Sequence, residues 1–192
     1  MGAKETIIKL LKSVERPGMD KLIEAMEEGG FFTAPCSGGN HLAEEGGLAK
    51  HSLNVLNAAT DMSLGLSQGE LMPKELKDSL TIVCLLHDLG KMGQYGKENY
   101  VENILKSGKQ STSKPYKTNP DLLYMDHEVR SIVIAQQYID LTEEEQQAIL
   151  WHNGLYGNFR YQIQGKETAL YLILHFADMY ASRVLEVNNE NN

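Results

Sequence analysis

Residues Val83 to Met92 read VCLLHDLGKM, and this stretch decides how the whole chain is interpreted. An apolar helix end is followed at once by His87 and Asp88, and then by Gly90 and Lys91. A dry, unpaired imidazole and carboxylate would each cost several kcal/mol, and a divalent metal would satisfy both. For a lone His-Asp pair, a plain helix end with a capping His87 and a solvated Asp88 is the commoner arrangement. The metal hypothesis therefore depends on further ligands elsewhere in the chain.

The length and composition of the chain predict a single domain. Its 192 residues, 42% of them hydrophobic, suffice for one buried core. We expect this domain to cover 1–187, with packing helices in 1–30 and the core in 31–185. The polar residues 188–192 should form a disordered tail.

Charge and cysteine content limit the compartment and the partners. Cys36 and Cys84 are far apart and form no CxxC pair, which is typical of a reduced, cytoplasmic protein. No apolar stretch is long enough to span a bilayer, so we expect no membrane partner. The formal net charge of -8 argues against binding of long nucleic acid. A small phosphorylated substrate, held by a metal and a few local cations, is compatible with this charge.

Apolar spacing and helix-end signals predict an all-α fold. Thr142 and Glu145 match a capping box at the start of one helix. The apolar run Leu80–Leu86 is short enough to be a strand, but the continuous segment of helix formers up to a stop at Gly90 favours a helix. Exposed apolar faces on the N-terminal helices are compatible with a homodimer. The predicted helices cover 3–15, 19–28, 46–66, 73–89, a segment that begins at Leu122 or Asp126, 142–152 and 167–187.

Two segments lack a helical period. Phe31–Glu45 is interpreted as a loop that lies over the fold. His41 in this loop is either a solvated side chain or a substrate contact, and we do not expect it to be a metal ligand. Residues 93–120 are polar, and a small β-hairpin insertion is expected around 99–118.

Several predicted helices carry a histidine or an aspartate on a face that is otherwise apolar. His51 falls on the buried stripe of its helix, and Asp178 is a lone acid in a helix that is apolar nearly all round. Read alone, His51 would be a core histidine bonded to backbone, and Asp178 would be costly without a cation. Helices that each contribute an inward imidazole or carboxylate build metal sites in bundle cores. Such ligands suit Mn, Fe, Ni, Mg or Zn, and the candidates are His51, His87, Asp88, His127, His152 and Asp178.

Five motifs follow one another along the chain: GGLAKHSLNV, LLHDLGK, MDHEVRS, ILWHNG and LHFADMYASR. In this order they resemble the HD-domain superfamily of metal-dependent phosphohydrolases. The resemblance covers roughly 31–185 and is closest to the small stand-alone HD hydrolases of bacteria and phages. It implies an all-α HD-domain helical bundle.

The resemblance also implies roles for individual residues. His127 and His152 match the histidines that complete a second metal site in dinuclear members, or that act as acid and substrate contacts in mononuclear ones. Lys91 would lie where it can contact a phosphate group of the substrate. One or two divalent metals are thus expected per chain. The ligands of the first metal would be His51, His87, Asp88 and Asp178.

The expected reaction is hydrolysis of a phosphomonoester or phosphodiester, with a nucleotide as the expected substrate. Asp88 or a neighbouring histidine would accept the proton of the metal-activated water. His152 or His127 would protonate the leaving oxygen. Lys91 and Arg130 would neutralise the phosphoryl oxygens, although a surface salt bridge is an equal alternative for Arg130.

Related activities and non-catalytic roles define the alternatives. The histidine doublet of cyclic-di-nucleotide phosphodiesterases is His152-Asn153 here, and no GYP follows, which argues against that activity. Di-iron oxygenases of the same fold also use four histidines and two aspartates, and would need Asp88 as a bridge between two irons. A non-catalytic HD module would keep the metal as a structural clip. The complete motif set, including Lys91, favours the hydrolase.

Overall fold

The computed structural model of the chain describes residues 2–70, 72–154 and 161–187. Within these residues it is a bundle of seven α-helices with one two-stranded antiparallel sheet, which confirms the predicted all-α class. The predicted tail at 188–192 lies outside the described residues. The elements are α1 (Ala3–Ser13), α2 (Met19–Glu28), α3 (Gly47–Leu66), α4 (Lys74–Leu86), β1 (Tyr100–Glu102), β2 (Tyr116–Thr118), α5 (His127–Ala135), α6 (Glu143–Trp151) and α7 (Ala169–Tyr180).

Helices α3 and α4 form the centre of the bundle. α3 packs against α4 and α7, while α6 packs against α5 and α7. Every residue of Leu80–Leu86 is buried, which explains why this run shows no amphipathic period in the sequence. Because His87 and Asp88 follow directly, both lie in the interior of the bundle.

In the described segments, no helix has the length and apolarity to cross a bilayer.

The end of α4 differs from the prediction. The α-helix stops at Leu86, and a 3₁₀ turn over Leu89–Met92 follows, so Gly90 lies inside this turn and does not act as the stop. Gly90 instead permits a close approach to α5, because a Cβ there would lie 2.4 Å from the carbonyl oxygen of His127. The turn that carries Lys91 is thereby held against α5.

The start of α6 agrees with the sequence signal. Glu145 N–H donates to Thr142 Oγ1 at 3.2 Å, and Thr142 N–H donates to Glu145 Oε2 at 2.9 Å, which completes the capping box. α5 begins at His127, one residue after the later of its two predicted starts.

The last helix is shorter as an α-helix than predicted. The segment predicted as one helix over 167–187 consists of α7 and a π-helix over Ala181–Leu185. A π-helix bonds each N–H to the fifth residue back and so contains one residue more than the matching α-helical turn. The N–H of Glu186 donates to the carbonyl of Ala181 at 3.0 Å. Glu186 is buried at this point, whereas Leu185 is exposed.

The hairpin expected around 99–118 is present as β1 and β2. Tyr100 pairs with Thr118, and Glu102 pairs with Tyr116. The hairpin rests on the loop 31–45, where the N–H of Tyr116 donates to the carbonyl of Gly38 at 3.0 Å. Loop and hairpin both contribute to the lining of one cavity.

A buried ion pair ties the N-terminal helices to the rest of the bundle. Arg16, between α1 and α2, donates to Glu145 Oε2 at 2.5 Å and to Oε1 at 2.9 Å. Glu145 is fully buried in the first turn of α6. Its charge therefore depends on Arg16 and on the capping box.

Arg16→Met should lower the free energy of unfolding by about 3 kcal/mol, because it leaves the buried Glu145 carboxylate without its cation. Urea unfolding followed by circular dichroism measures this change. Lys12→Met is the matched control: the Lys12 Nζ–Asp20 Oδ1 pair, at 3.4 Å, is exposed on both sides, and its loss should cost under about 1 kcal/mol. Equal losses in the two variants would contradict the role given to Arg16.

Candidate metal centre

The carboxylate of Asp88 is the centre of the site. Asp88 is 1% exposed, and Lys91 Nζ donates to its Oδ2 at 2.6 Å. Burial raises the pKa of Asp88, but the Lys91 ammonium and His87 outweigh burial and hold that pKa well below its usual range. The site is therefore built around a carboxylate that is ionised at neutral pH.

Four imidazoles turn their Nε2 atoms towards this carboxylate. His87 and His51 lie 3.4 and 3.6 Å from Asp88 Oδ2. His127 and His152 lie 3.2 and 3.6 Å from Oδ1. These rings come from α3, from the end of α4, from α5 and from the end of α6. The two oxygens of Asp88 thus face two different pairs of histidines.

The Nδ1 atoms of these rings are anchored on oxygen atoms. In His87 and His152, Nδ1 lies 2.9 and 2.8 Å from the carbonyl oxygen three residues earlier. In His51, Nδ1 lies 3.0 Å from both carboxylate oxygens of Glu186. These oxygens only accept hydrogen bonds, so each Nδ1 carries the hydrogen, and Nε2 of the neutral ring keeps its lone pair. Metal-binding histidines are usually fixed in this way.

Asp178 on α7 closes the cluster on the side of His51. Its Oδ1 lies 3.2 Å from His51 Nε2, and His51 Nε2 lies 3.3 Å from His87 Nε2. Burial lowers the pKa of His51, but hydrogen bonds with Asp178 and Glu186 outweigh burial and raise that pKa to about 9. For His87 burial dominates and lowers the pKa. Without a metal, the cluster therefore holds a proton on His51 at neutral pH.

His127 and its neighbours form the other side of the cluster. Its Nδ1 lies 3.2 Å from Glu128 Oε2, and Asn153 donates a hydrogen bond to Glu128 Oε1. Among the described residues, neither His127 Nε2 nor Asp88 Oδ1 has a hydrogen-bond partner, although both are buried and lie 3.2 Å apart. Two buried acceptors that face each other are costly unless a cation lies between them.

The cluster opens into a cavity of about 730 Å³. Lys91, His152 and Asp178 contribute to its lining, together with the loop residues 39–44 and hairpin residues between 112 and 115. This volume lies in the range of pockets that hold small molecules. The cavity therefore offers a substrate direct access to the cluster.

The two further predicted substrate contacts have different surroundings. His41 lines the cavity, and its Nδ1 donates to Glu186 Oε2 at 2.5 Å. Arg130 is buried and donates to Gln94 Oε1 at 3.0 Å and to the carbonyl of Leu123 at 2.8 Å. The alternative of a surface salt bridge for Arg130 is therefore wrong. Its contact with substrate stays a prediction, and Arg130 is not part of the cavity lining.

Three residues near the cluster were not predicted from the sequence: Glu186, His175 and Cys36. His175 donates from Nδ1 to the carbonyl of His152 at 2.8 Å. It stands in the same apolar helix as Asp178, so the criterion that selected Asp178 could have found it. The thiol of Cys36 lies within 4.8 Å of ring nitrogens of His41 and His51. Burial raises the pKa of this thiol well above its ordinary value, so it stays neutral.

The donor set fits a divalent metal. His51, His87 and Asp178 bring one ligand atom each to within 4.8 Å of one another, and so do His87, Asp88 and His152. The orphaned acceptors on Asp88 and His127 point to the same conclusion. Neutral imidazoles and carboxylates are ligands that first-row transition metals accept. These buried groups can therefore hold a metal ion, as predicted.

A helical bundle in which several helices direct imidazoles and carboxylates inwards has the arrangement from which metal sites are built in bundle cores. The family model for the HD domain matches residues 48–181, more than two thirds of the chain. The chain belongs to the HD-domain family, most of whose members are metal-dependent phosphohydrolases. This confirms the family predicted from the motifs. Among curated proteins and solved structures, none matched the chain.

Metal binding at pH 7 should release about one proton per ion, because a ligand histidine must be neutral and His51 is protonated below its pKa of about 9. Affinity should therefore weaken as the pH falls below about 9. Titration calorimetry with Mn²⁺ in buffers of different ionisation enthalpy measures the proton count as the slope of the observed enthalpy. A slope of zero at pH 7 would contradict the protonated His51.

Proposed function

We propose that the chain is a phosphohydrolase that uses a divalent metal to cleave a phosphomonoester or phosphodiester of a small substrate, with a nucleotide as the expected class. One observation carries this proposal: four imidazole Nε2 atoms and the Lys91 ammonium converge on Asp88 beside a small-molecule cavity. The first metal would be held by His51, His87, Asp88 and Asp178. When bound, it supplies the Lewis acidity that polarises a phosphoryl group and activates water.

Lys91 supplies positive charge for the substrate. Burial lowers the pKa of Lys91, but the Asp88 carboxylate outweighs burial and raises that pKa, so the ammonium is charged. One of its three hydrogens goes to Asp88 Oδ2. Because Lys91 also lines the cavity, its other hydrogens can meet phosphoryl oxygens there. Such a donor stabilises the negative charge that grows on these oxygens during the reaction.

Two histidines carry the proton transfers in this proposal. Asp88 is a weak base, because its pKa lies well below neutrality, so His127 Nε2 is the better acceptor for the proton of the attacking water. Burial lowers the pKa of His152, but the interaction with the nearby Asp88 carboxylate outweighs burial and raises that pKa. His152 lines the cavity, so it is placed to hold a proton at Nε2 and to give it to the leaving oxygen.

A di-iron oxygenase is the second candidate, and one observation favours it. The Oδ2 side of Asp88 faces His51 and His87, while the Oδ1 side faces His127 and His152. Each pair of histidines, together with Asp88, would be able to hold one of two metals. A dinuclear phosphohydrolase would use the same residues, so the geometry alone leaves both reactions open. Lys91 favours the phosphohydrolase, because a phosphate needs a cation at the cavity wall.

Metal-stripped protein should release product from a phosphoester only after Mn²⁺, Ni²⁺, Mg²⁺ or Fe²⁺ is added back. The panel contains phosphomonoesters, cyclic and linear phosphodiesters, and nucleotides. Asp88→Asn keeps the side-chain shape but removes the charge that binds the metal, so its turnover should fall to background.

Turnover without metal, or turnover by Asp88→Asn at the wild-type rate, would overturn the proposal. Silence across the panel with metal bound would favour one of the other functions. Two irons per chain with consumption of O2 would then indicate the oxygenase. A single ion with no reaction would indicate a non-catalytic HD module.

Lys91→Met should lower kcat by about 10²-fold, because the charge that stabilises the phosphoryl oxygens is lost. Metal affinity should not fall, since the variant removes a cation next to the metal ligands. Steady-state kinetics and a Mn²⁺ titration separate the two effects. Loss of metal binding in Lys91→Met would instead show that Lys91 supports the ligands and has no direct part in turnover.

A further inference from the structure

Glu186 is a buried carboxylate that the proposed chemistry does not use. Its neighbours donate to both of its oxygens: His51 Nδ1 at 3.0 Å, His41 Nδ1 at 2.5 Å to Oε2, and Asn54 Nδ2 at 2.9 Å to Oε1. A buried carboxylate whose two oxygens are both surrounded by donors of its own chain is suited to orienting those donors.

His51 is the donor that matters for the metal centre. Its Nδ1 hydrogen goes to Glu186, so Nε2 is the ring atom that faces Asp178 at 3.2 Å and Asp88 at 3.6 Å. Once the ring is neutral, Nε2 is therefore the atom that can bind a metal. Without an acceptor at Nδ1, the hydrogen of the neutral ring can move to Nε2 and occupy the position from which a metal is bound. A carboxylate at the far nitrogen also makes a ligand histidine more basic.

The π-helix is what brings Glu186 to this position. In an α-helix, each residue turns by roughly 100°, so the residue seven places after Asp178 would lie within about 20° of the same direction. That residue is Leu185. The additional residue in the π-helix moves Glu186 into this place. The exposures agree, since Leu185 is 50% and Glu186 8% exposed.

We propose that Glu186 is the positioning residue of the metal centre: placed by the π-helix, it keeps the hydrogen of His51 on Nδ1 and aims Nε2 at the metal. The inference rests on the metal centre of the proposed function, but it does not depend on which bond is cleaved. Glu186 lies beyond residues 48–181, the range matched by the HD-domain model. His41, which lies in the loop 31–45, donates to the same carboxylate. Glu186 therefore also connects this loop to the ligand His51.

The test is the affinity of the metal-stripped, full-length chain for Mn²⁺, read from the electron paramagnetic resonance signal of the free ion. Glu186→Met removes both acceptor oxygens and should weaken binding by about 10- to 100-fold, while the number of ions per chain stays the same. Glu186→Asp keeps the carboxylate and should retain part of the affinity. Glu27→Met is the matched control, because Glu27 pairs with Lys4 at an exposed position, and its affinity should equal that of the wild type.

Two further measurements separate positioning from a general effect on folding. The nuclear magnetic resonance signal of the His51 Nδ1 hydrogen should be present in the metal-free wild type and in Glu186→Asp, and lost in Glu186→Met. In the double variant Leu185→Glu/Glu186→Met, the carboxylate stands at the position that the π-helix leaves exposed. This variant should bind Mn²⁺ as weakly as Glu186→Met alone.

The outcomes that overturn the inference are distinct. Wild-type affinity in Glu186→Met excludes positioning. Loss of one ion per chain at unchanged affinity for the other makes Glu186 a ligand, together with Cys36 and His41. Recovery of affinity by Leu185→Glu excludes the role of the π-helix. Because no readout uses a phosphoester, failure of the hydrolase proposal would leave this result unaffected.

Discussion

The ionised Asp88 carboxylate lies directly after a run of eight buried residues, Leu80 to His87, where an uncompensated charge costs several kcal/mol. Every element around it supplies compensation. The 3₁₀ turn brings back Lys91, α3 and the end of α4 bring two imidazoles to one oxygen, and α5 and α6 bring two to the other. Even so, Oδ1 has no hydrogen-bond partner among the described residues. The bundle thus creates a need for a cation that its own side chains leave partly unmet.

The histidines that face Asp88 are held in place by contacts on the opposite side of their rings. Backbone carbonyls fix His87 and His152, and Glu186 fixes His51. Each of these contacts favours one ring orientation and one tautomer, which would otherwise have to be selected when a metal binds. The cost of ordering the ligands is therefore met largely by folding. The same anchors make the lone pairs of His51 and His87 meet at 3.3 Å, an arrangement that is stable only with a proton or a metal between them.

Local rules predict the helices and the inward direction of single polar residues: periodicity located α3, a capping box located α6, and the polarity of His51 and Asp178 on apolar faces indicated two inward positions. That these residues meet in one cluster was implied by the resemblance to the HD-domain superfamily. Neither source predicted other features that depend on contacts between distant segments. Gly90 was interpreted as a helix stop, whereas it makes room for the backbone of α5. Glu186 is not predicted to face inwards, because an α-helical period places Leu185 on the inner face. Only the π-helix shifts the register so that Glu186 takes this position.

The contact between the loop 31–45 and the hairpin has a consequence for how the cavity can change. A Cβ at Gly38 would lie 2.9 Å from the carbonyl oxygen of Tyr116, and one at Gly39 would lie 2.9 Å from Lys114 Cα. At both glycines the loop therefore approaches the backbone of the hairpin more closely than any side chain would allow. The spacing between these two parts of the cavity wall is thus fixed by two residues that lack a side chain. A larger residue at either position would force the loop and the hairpin apart and change the shape of the cavity that both of them line.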